Sequence, residues 1–506
     1  MNFNAKSKKL NPKHKSISVI LAGGRGKRIK SEIPKVLHAL WGIPSVVRVS
    51  QAASKGLNSP NQVVVVGMKA QDVADLLKDM PNTVFAYQEV QKGTGHALQV
   101  AVSRIINAGA KSNLYVFPGD AGLLDAELVS KFRRRFEKSS SAAMMLTGEY
   151  KGPVELNMYG RIVRVPERDT AGSHSGDDYR KVAEIMQAKD ILKMQPDQDH
   201  KIVYHGREYH FTRKQLLENR EFDSGMIAFR YDLLKKYLGR LKSDNVQKEL
   251  YMTDLVRIFN DAGHRVESFE IKKDAKDAKD AKTGGFQFAD ALLGFNSRSE
   301  LKKMEAILRA KYFETLKDIL TFEDEENFFL DSEVVRRILR MDETGIPVDI
   351  TIGEGCHIGK GVRVNRGLKV GKRAVLEGNI MLGQKVSIGE NVHISAYPHQ
   401  ELRIGDRAEI FSGDIIKGNT KIGSNVKIET GVTITGSDEH PVVIGDNCVI
   451  KGTSYIYGST IDPDNFIQHS VLIRKLVLKI ADKAGRVQKV RYILPHPEGM
   501  DSIKPL

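Results

Sequence analysis

The stretch LAGGRGKRIKSEIPKVLH, Leu21 to His38, sets Gly23, Gly24 and Gly26 among five basic residues, Arg25, Lys27, Arg28, Lys30 and Lys35. Glycines let backbone N–H groups approach a phosphate chain closely, and guanidinium and ammonium groups offset its charge. Phosphate binding is one reading of this spacing. A tight turn from a strand into a helix is the other. The stretch lacks the Gly-Lys-Ser/Thr ending of a P-loop, and its glycines miss the dinucleotide spacing. By itself it sets a class of ligand and no more.

The elements around it come from patterning. SISVILAGG, NQVVVVGM and NLYVFPGD are β-branched runs that end in Gly or Asp, each followed by helical spacing such as ALQVAVSRIINAG. That alternation predicts a doubly wound, mostly parallel α/β sheet over residues 16–296. Ligands in such sheets sit at the carboxyl ends of strands, so the three strand ends are expected to share one edge. Residues 297–345 read as a helical linker, with Leu301, Met304, Leu308, Tyr312, Leu316 and Ile319 at helical spacing.

From Ile352 the period changes to six. Ile352, Ile358, Val364, Val370, Leu376, Leu382, Ile388 and Ile394 keep one phase, Ile404 to Ile434 resume it, and Ile444, Ile450 and Ile456 close it. The period of six predicts a parallel β-helix over 346–475, with each four-residue break projecting as a loop from one corner. Residues 476–506 leave the hexad and are expected to cap the open end. The AKD triplets at 274–282 read as a solvated insertion.

Composition bounds the rest. The net charge is +15, but outside the basic tail 1–15 and the segment 272–282 the basic residues are scattered, and no nucleic-acid motif accompanies them. Phosphorylated small molecules suit that balance better than nucleic acid. No apolar run is long enough to span a membrane, so no membrane insertion is expected. The basic opening lacks a small-residue cleavage site. Two cysteines, Cys356 and Cys448, form no metal or disulfide pattern, and a cytoplasmic home is expected.

A set of motifs then occurs in order: LAGGRGKR with PKVLH (34–38), QEVQKGTGHA (88–97), PGD (118–120), YGRIVR (159–164), EIMQAKD (184–190), FDSGMIAF (222–229), ELYMTDLV (249–256) and GFNSRSEL (294–301). Together they resemble the bacterial N-acetylglucosamine-1-phosphate uridyltransferase family, a sugar-1-phosphate nucleotidyltransferase domain followed by a left-handed β-helix of hexapeptide repeats. The resemblance implies attack of a sugar-1-phosphate oxygen on the α-phosphate of UTP, with Mg²⁺ and release of pyrophosphate. It implies that Arg28 and Lys35 hold the triphosphate and that Leu21, Ala22, Gly23 and Gly24 line it. Gln88, Gln91, Gly93 and Thr94 would read uracil. Gly160, Gln187, Asp223 and Thr253 would meet the sugar or ribose, and Asp120 and Asn296 would hold the metal. It also implies a homotrimer built through the β-helix.

The bland readings stay beside these. Asp120 could cap a helix, Asn296 could be a turn residue, and Gln88 and Gln91 could be a solvated strand edge. Two positions depart from the family: Gln187 stands where it has Glu, and Asp223 where it has Asn. The β-helix lacks the family's acetyltransferase stretches, and TGSDEHP (435–441) replaces the longer loop. His393, His399 and His440 are the nearest candidates for a base, so acetyl transfer is expected to be lost or different. The reading is a UDP-sugar-forming enzyme, most simply of UDP-N-acetylglucosamine. Its alternatives are the bifunctional enzyme and a non-catalytic regulatory homologue.

Overall fold

The computed structural model describes residues 8–24, 26–106, 111–271 and 288–493. They form two compact units, and the boundary between Ile307 and Leu308 falls inside the helix Arg298–Leu316. The expectations for Arg25, the AKD triplets and the last thirteen residues of the tail lie outside the described residues.

In the first unit the strand Ser16–Ala22 runs parallel to Gln62–Val66 on one side and to Asn113–Pro118 on the other. Thr83–Tyr87 extends the sheet, again in parallel. Glu221–Arg230 enters antiparallel between Asn113–Pro118 and Ala143–Glu149, and Val266–Glu270 lies parallel at the far edge. The run QVVVV is buried throughout because the sheet is covered on both faces. Ile20, Val64 and Val66 pack with Val49 and Phe132 from the helices Ser45–Gly56 and Ala126–Lys138. Val19, Val63 and Val65 point the other way, to Leu98 and Phe259 from Thr94–Ser103 and Leu255–Asp261. This is the expected doubly wound α/β fold, and it brings the strand ends at Ala22, Val66, Tyr87 and Pro118 to one edge.

Two local expectations change. No α-helix follows the glycine loop. A single 3₁₀ turn, Lys27–Ile29, stands between Gly26 (φ 61°) and Lys30 (φ 49°), both left-handed, so there is no helix terminus to face a phosphate. Residues 8–15 are not a free tail either: the Lys8 N–H donates to Thr83 O (2.7 Å), and Asn61 clasps Asn11 through its Oδ1 (2.8 Å) and Nδ2 (2.8 Å).

The second unit is a left-handed parallel β-helix. Ile352 pairs with Val370 and Val370 with Ile388, a step of 18 residues, or three hexapeptides per coil. All seventeen positions of the six-residue ladder are buried, the most exposed being Leu382 at 5%. Ile388 to Ile410 and Ile428 to Ile450 are steps of 22. The four extra residues lie between His393–Ala396 and Leu402–Ile404 in one coil, and between Thr433–Gly436 and Val442–Ile444 in the next coil but one. Both connections join the same pair of sheets, so the two loops emerge from one corner.

The solenoid is longer than its period suggests. Leu320–Phe322 and Phe329–Leu330 already pair with the first coil, so the segment 297–345 is not purely helical. Leu476–Val477 and Lys489–Val490 continue the last one, so the region beyond 476 is more than a cap. The hexad fails there for a simple reason: Ile450 to Ile467 is a step of 17 and Ile461 to Val477 a step of 16, so the coil tightens and the phase slips. Cys356 and Cys448 are free and buried, and burial pushes their thiols up to about 12 and about 11, which leaves them unreactive. Among the described residues no helix is long and apolar enough to cross a membrane.

Candidate functional site

Three residues from distant parts of the chain meet beyond the end of Asn113–Pro118. The Lys35 ammonium donates to Asn296 Oδ1 (2.8 Å) and forms an ion pair with Asp120 Oδ2. The side chains of Lys35 and Asp120 are 16% and 15% exposed, so the pair is shielded but reachable. Lys35 Nζ also lies 5.7 Å from the Phe295 ring centroid. Asp120 does not cap the following helix, because Asp125 does so through Leu128 N–H (2.9 Å). A Cβ at Gly294 would sit 2.7 Å from Asp120 Oδ2, so only glycine lets this backbone pass so close to the carboxylate. One carboxylate and one amide oxygen are the donor types Mg²⁺ takes when phosphates and water complete its shell.

Glu300, Tyr159 and Arg161 hold this centre together, and motif reading passed them over. Glu300 accepts from the backbone N–H of Asn296 and of Ser297 (3.1 Å), while Ser297 Oγ accepts from Glu300 N–H (3.2 Å). That is a capping box, and its Ser-x-x-Glu signature stands in GFNSRSEL for anyone looking for helix starts. Tyr159 packs 4.7 Å from the Phe222 ring. Burial, then the charges of Glu300 and Asp120, push its phenol up to about 12. Arg161 is fully buried and donates to the carbonyls of Asn157 (2.8 Å) and Tyr159, which fixes the loop carrying Tyr159 and Gly160. Arg28 stands exposed, with its charge felt at Tyr159.

The next cluster lies beyond Thr83–Tyr87. Gln88 is buried, with Nε2 on Gly93 O (3.3 Å) and against His96 Nδ1 (3.1 Å). Gln91 Nε2 donates to Gly23 O (2.6 Å), and Thr94 Oγ1 accepts from Met252 N–H (3.1 Å). Gly93 has φ 97°, and a Cβ there would lie 2.5 Å from Leu250 O. Gln88 is therefore buried rather than part of a solvated strand edge, while Gln91 and Thr94 are exposed but hydrogen-bonded. They tie the glycine loop, the turn at 93–94 and residues 250–252 into one wall, and they spend side-chain hydrogen bonds on it. Leu21 and Ala22 end their strand below, with Leu21 O accepting from Gly119 N–H (3.0 Å). Gly24 is open to solvent, and a Cβ there would meet nothing within 4 Å.

A third group gathers around Gly160. A Cβ there would lie 3.3 Å from Gln187 Nε2 and 3.6 Å from Asp223 Cβ. Gln187 Nε2 donates to Thr253 Oγ1 (3.2 Å). Asp223 is buried. Its Oδ1 accepts only from Gly225 N–H (2.9 Å) among the described residues, and burial pushes its carboxyl up to about 6. Asp254, next to Thr253, is also pushed up to about 6, mainly by burial. His38 lies edge-on to Phe295 (6.4 Å), a packing role. In the β-helix, His399 Nε2 and Gln400 Nε2 meet Asp438 at 3.0 and 2.8 Å and join the two corner loops. His440 packs against Tyr457, and His393 lies on a ladder strand.

Residues 18–190 match the family model of the MobA-like NTP transferase domain, and residues 349–384 that of the hexapeptide repeat of succinyl-transferase. The Bifunctional protein GlmU of Carboxydothermus hydrogenoformans is 28% identical over 67% of this chain and 64% of its own length. That of Lactobacillus gasseri is 30% identical over 62% of this chain and 57% of its own. The chain thus spans less than two thirds of these relatives. A solved UDP-glucose pyrophosphorylase complexed with UDP-glucose aligns at 13% identity and a TM-score of 0.37, over 57% of this chain and 97% of that one. With sheet, site and repeats in place, the first unit carries a stretch that matches a MobA-like NTP transferase domain and the second one that matches a hexapeptide repeat, and the curated proteins the chain resembles are GlmU proteins.

Proposed function

We propose that the first unit transfers a uridylyl group from UTP to a sugar-1-phosphate, most simply N-acetylglucosamine-1-phosphate, and releases pyrophosphate. The observation that carries this is the convergence of Lys35, Asp120 and Asn296 at the strand edge. The acceptor phosphate is already ionised near neutral pH, so the chain need supply no general base and acts by positioning and charge. The glycine loop and Arg28 hold the triphosphate. Lys35 leaves Asp120 for a phosphate oxygen, where it offsets the charge that develops as the α-phosphate is attacked. Asp120 and Asn296 would hold Mg²⁺ through their oxygens, and the ion would supply positive charge that offsets the phosphates. The wall of Gln88, Gln91, Gly93 and Thr94 receives uracil, and Gly160, Gln187, Asp223 and Thr253 receive the sugar phosphate.

Gln187 and Asp223 exchange the family's charge pattern: one carboxylate is lost and another gained at neighbouring positions. The reaction is unaffected by that exchange, while the sugar preference is set by it. The test is pyrophosphate release from UTP with Mg²⁺ against a panel of sugar-1-phosphates. Turnover is expected with an N-acetylated hexosamine, and none with any sugar would refute the reading.

The bifunctional name of the curated relatives and the His399–Asp438 contact favour a second reading, in which the β-helix also carries acyl transfer. We hold to a β-helix without that activity, because the family's acetyltransferase stretches are missing. Thiol release from acetyl-coenzyme A with glucosamine-1-phosphate decides between the two. The same reading includes a homotrimer in the cytoplasm, and sedimentation at equilibrium measures the mass.

A further inference from the structure

One cavity lies apart from everything above. In the second unit the helix Ser332–Asp342 turns Val334, Val335, Ile338 and Met341 inward. Its other face carries Glu333, Arg336, Arg337 and Arg340, at intervals of three, one and three residues. These four side chains and Arg363, from the strand Val362–Arg363, line an open cavity of about 350 Å³ together with Asn379.

Charge makes the cavity unusual. Four guanidiniums share it with one carboxylate. Among the described residues none of the four arginines is ion-paired within 4 Å. Glu401, whose charge also reaches Arg363, is already held by Arg403 at 2.7 Å. Like charges three and four residues apart on a helix repel, so Arg336, Arg337 and Arg340 weaken the helix they stand on. Desolvation and the nearby charges of Arg363 and Arg340 pull the Arg337 guanidinium below its ordinary range. Arg337 Nε donates to Val364 O (2.6 Å) and Arg340 Nε to Arg336 O (3.3 Å), so two forks are held with their terminal nitrogens left over. Arg363 spends one terminal nitrogen on Met381 Sδ (3.4 Å), and none of these contacts offsets the gathered positive charge. An anion with several charged oxygens would, since planar guanidiniums pair with phosphate bidentately.

We propose that this cavity is a binding site for a small phosphorylated anion of about three negative charges, the size and charge of a nucleoside diphosphate. The volume is at the small end of the range for ligand sites, too small for a macromolecular groove. The surplus of three positive charges sets the charge of the ligand. Because the site lies wholly in the second unit, it stands or falls independently of nucleotidyl transfer.

The test is calorimetric titration of the full chain without divalent metal, using inorganic pyrophosphate in one arm and adenosine diphosphate in the other. The Lys35→Ala variant weakens the phosphate site of the first unit, and the component of the remaining binding that is lost with the arginine substitutions reports the β-helix. A saturable component is expected to survive in Lys35→Ala and to weaken at least about tenfold when Arg340→Gln and Arg363→Gln are added. Both arginines are exposed, so an unchanged melting temperature confirms that the fold is intact. Arg337→Lys keeps the charge but loses the fork, and a weakening of about threefold to fivefold is expected. The stronger arm identifies the source, bare diphosphate or nucleotide. No binding surviving in Lys35→Ala overturns the proposal. So does survival of full affinity in the arginine variants, or binding of a single-stranded RNA that neither small anion displaces.

Discussion

The two units treat buried polar groups differently. In the first, Gln88 and Thr253 are buried near one sheet edge and bonded to groups from other elements, and Asp223 is buried in the same neighbourhood. In the β-helix, Asp414 is buried with no side-chain partner among the described residues. It belongs to a corner ladder whose backbone bonds stack Ala374, Val392, Asp414, Val432, Ser454 and Ser470. Its Oδ1 accepts from Val432 N–H (2.8 Å), its Oδ2 has no partner, and burial pushes the carboxyl up to about 7. Clustered polar groups with shared partners are what a site needs. A lone carboxyl between valines is a cost to folding, and the repeat tolerates it because the stacked isoleucines on either side carry the coil.

The largest expected effect is on the first unit. Lys35→Ala should lower the rate of pyrophosphate release by about a thousandfold, about 4 kcal/mol, as for loss of a group that stabilises transition-state charge. The melting temperature should barely move. A rate loss matched by lost folded protein would erase the contrast.

The second effect is on the β-helix. Ile434→Ala, at a fully buried ladder position, should cost about 3 kcal/mol of stability, read by denaturant unfolding. The rate per folded molecule should not change. Equal loss of activity and stability would mean that the two units do not divide labour in this way.

The third concerns pH. Asp414 titrates near its ordinary 3.8 in the unfolded chain and near 7 in the fold. Its folded carboxyl holds the proton longer, so stability falls as pH rises from about 4 to about 7, by at most about 4 kcal/mol. Asp414→Asn should flatten that fall and gain about 2 kcal/mol at pH 8, half the ceiling because the amide still lacks a partner. Unfolding free energies at pH 5 and pH 8 measure it, and an unchanged slope would refute the assignment.

The smallest effect sharpens the site. Gln187→Glu sets a second carboxylate near Asp223 and breaks the donation to Thr253. KM for the sugar phosphate should rise about fivefold, about 1 kcal/mol, with kcat kept. A fall in kcat alone would move Gln187 out of the proposed sugar pocket.

Much of this was legible beforehand, for different reasons in each unit. The hexad repeats one contact many times, so the ladder could be read residue by residue until the coil tightened after Ile456. The first unit repeats nothing. Its sheet came from apolar runs, and its site from short motifs, yet nothing in Gly26 announces a 3₁₀ turn in place of a helix. Arg161 looked like one more charge in YGRIVR and is a buried clamp on backbone carbonyls. The arginines at 336, 337, 340 and 363 look scattered until a helix and a strand bring them to one cavity.

The central claim is that Lys35, Asp120 and Asn296 form one metal-assisted phosphate centre. The most direct measurement is pyrophosphate release from UTP and N-acetylglucosamine-1-phosphate across a Mg²⁺ titration, for the unaltered chain and for Asp120→Ala. A rate that rises with Mg²⁺ in the former and stays at background in the latter is the predicted result. Full Mg²⁺-dependent turnover by Asp120→Ala would contradict it.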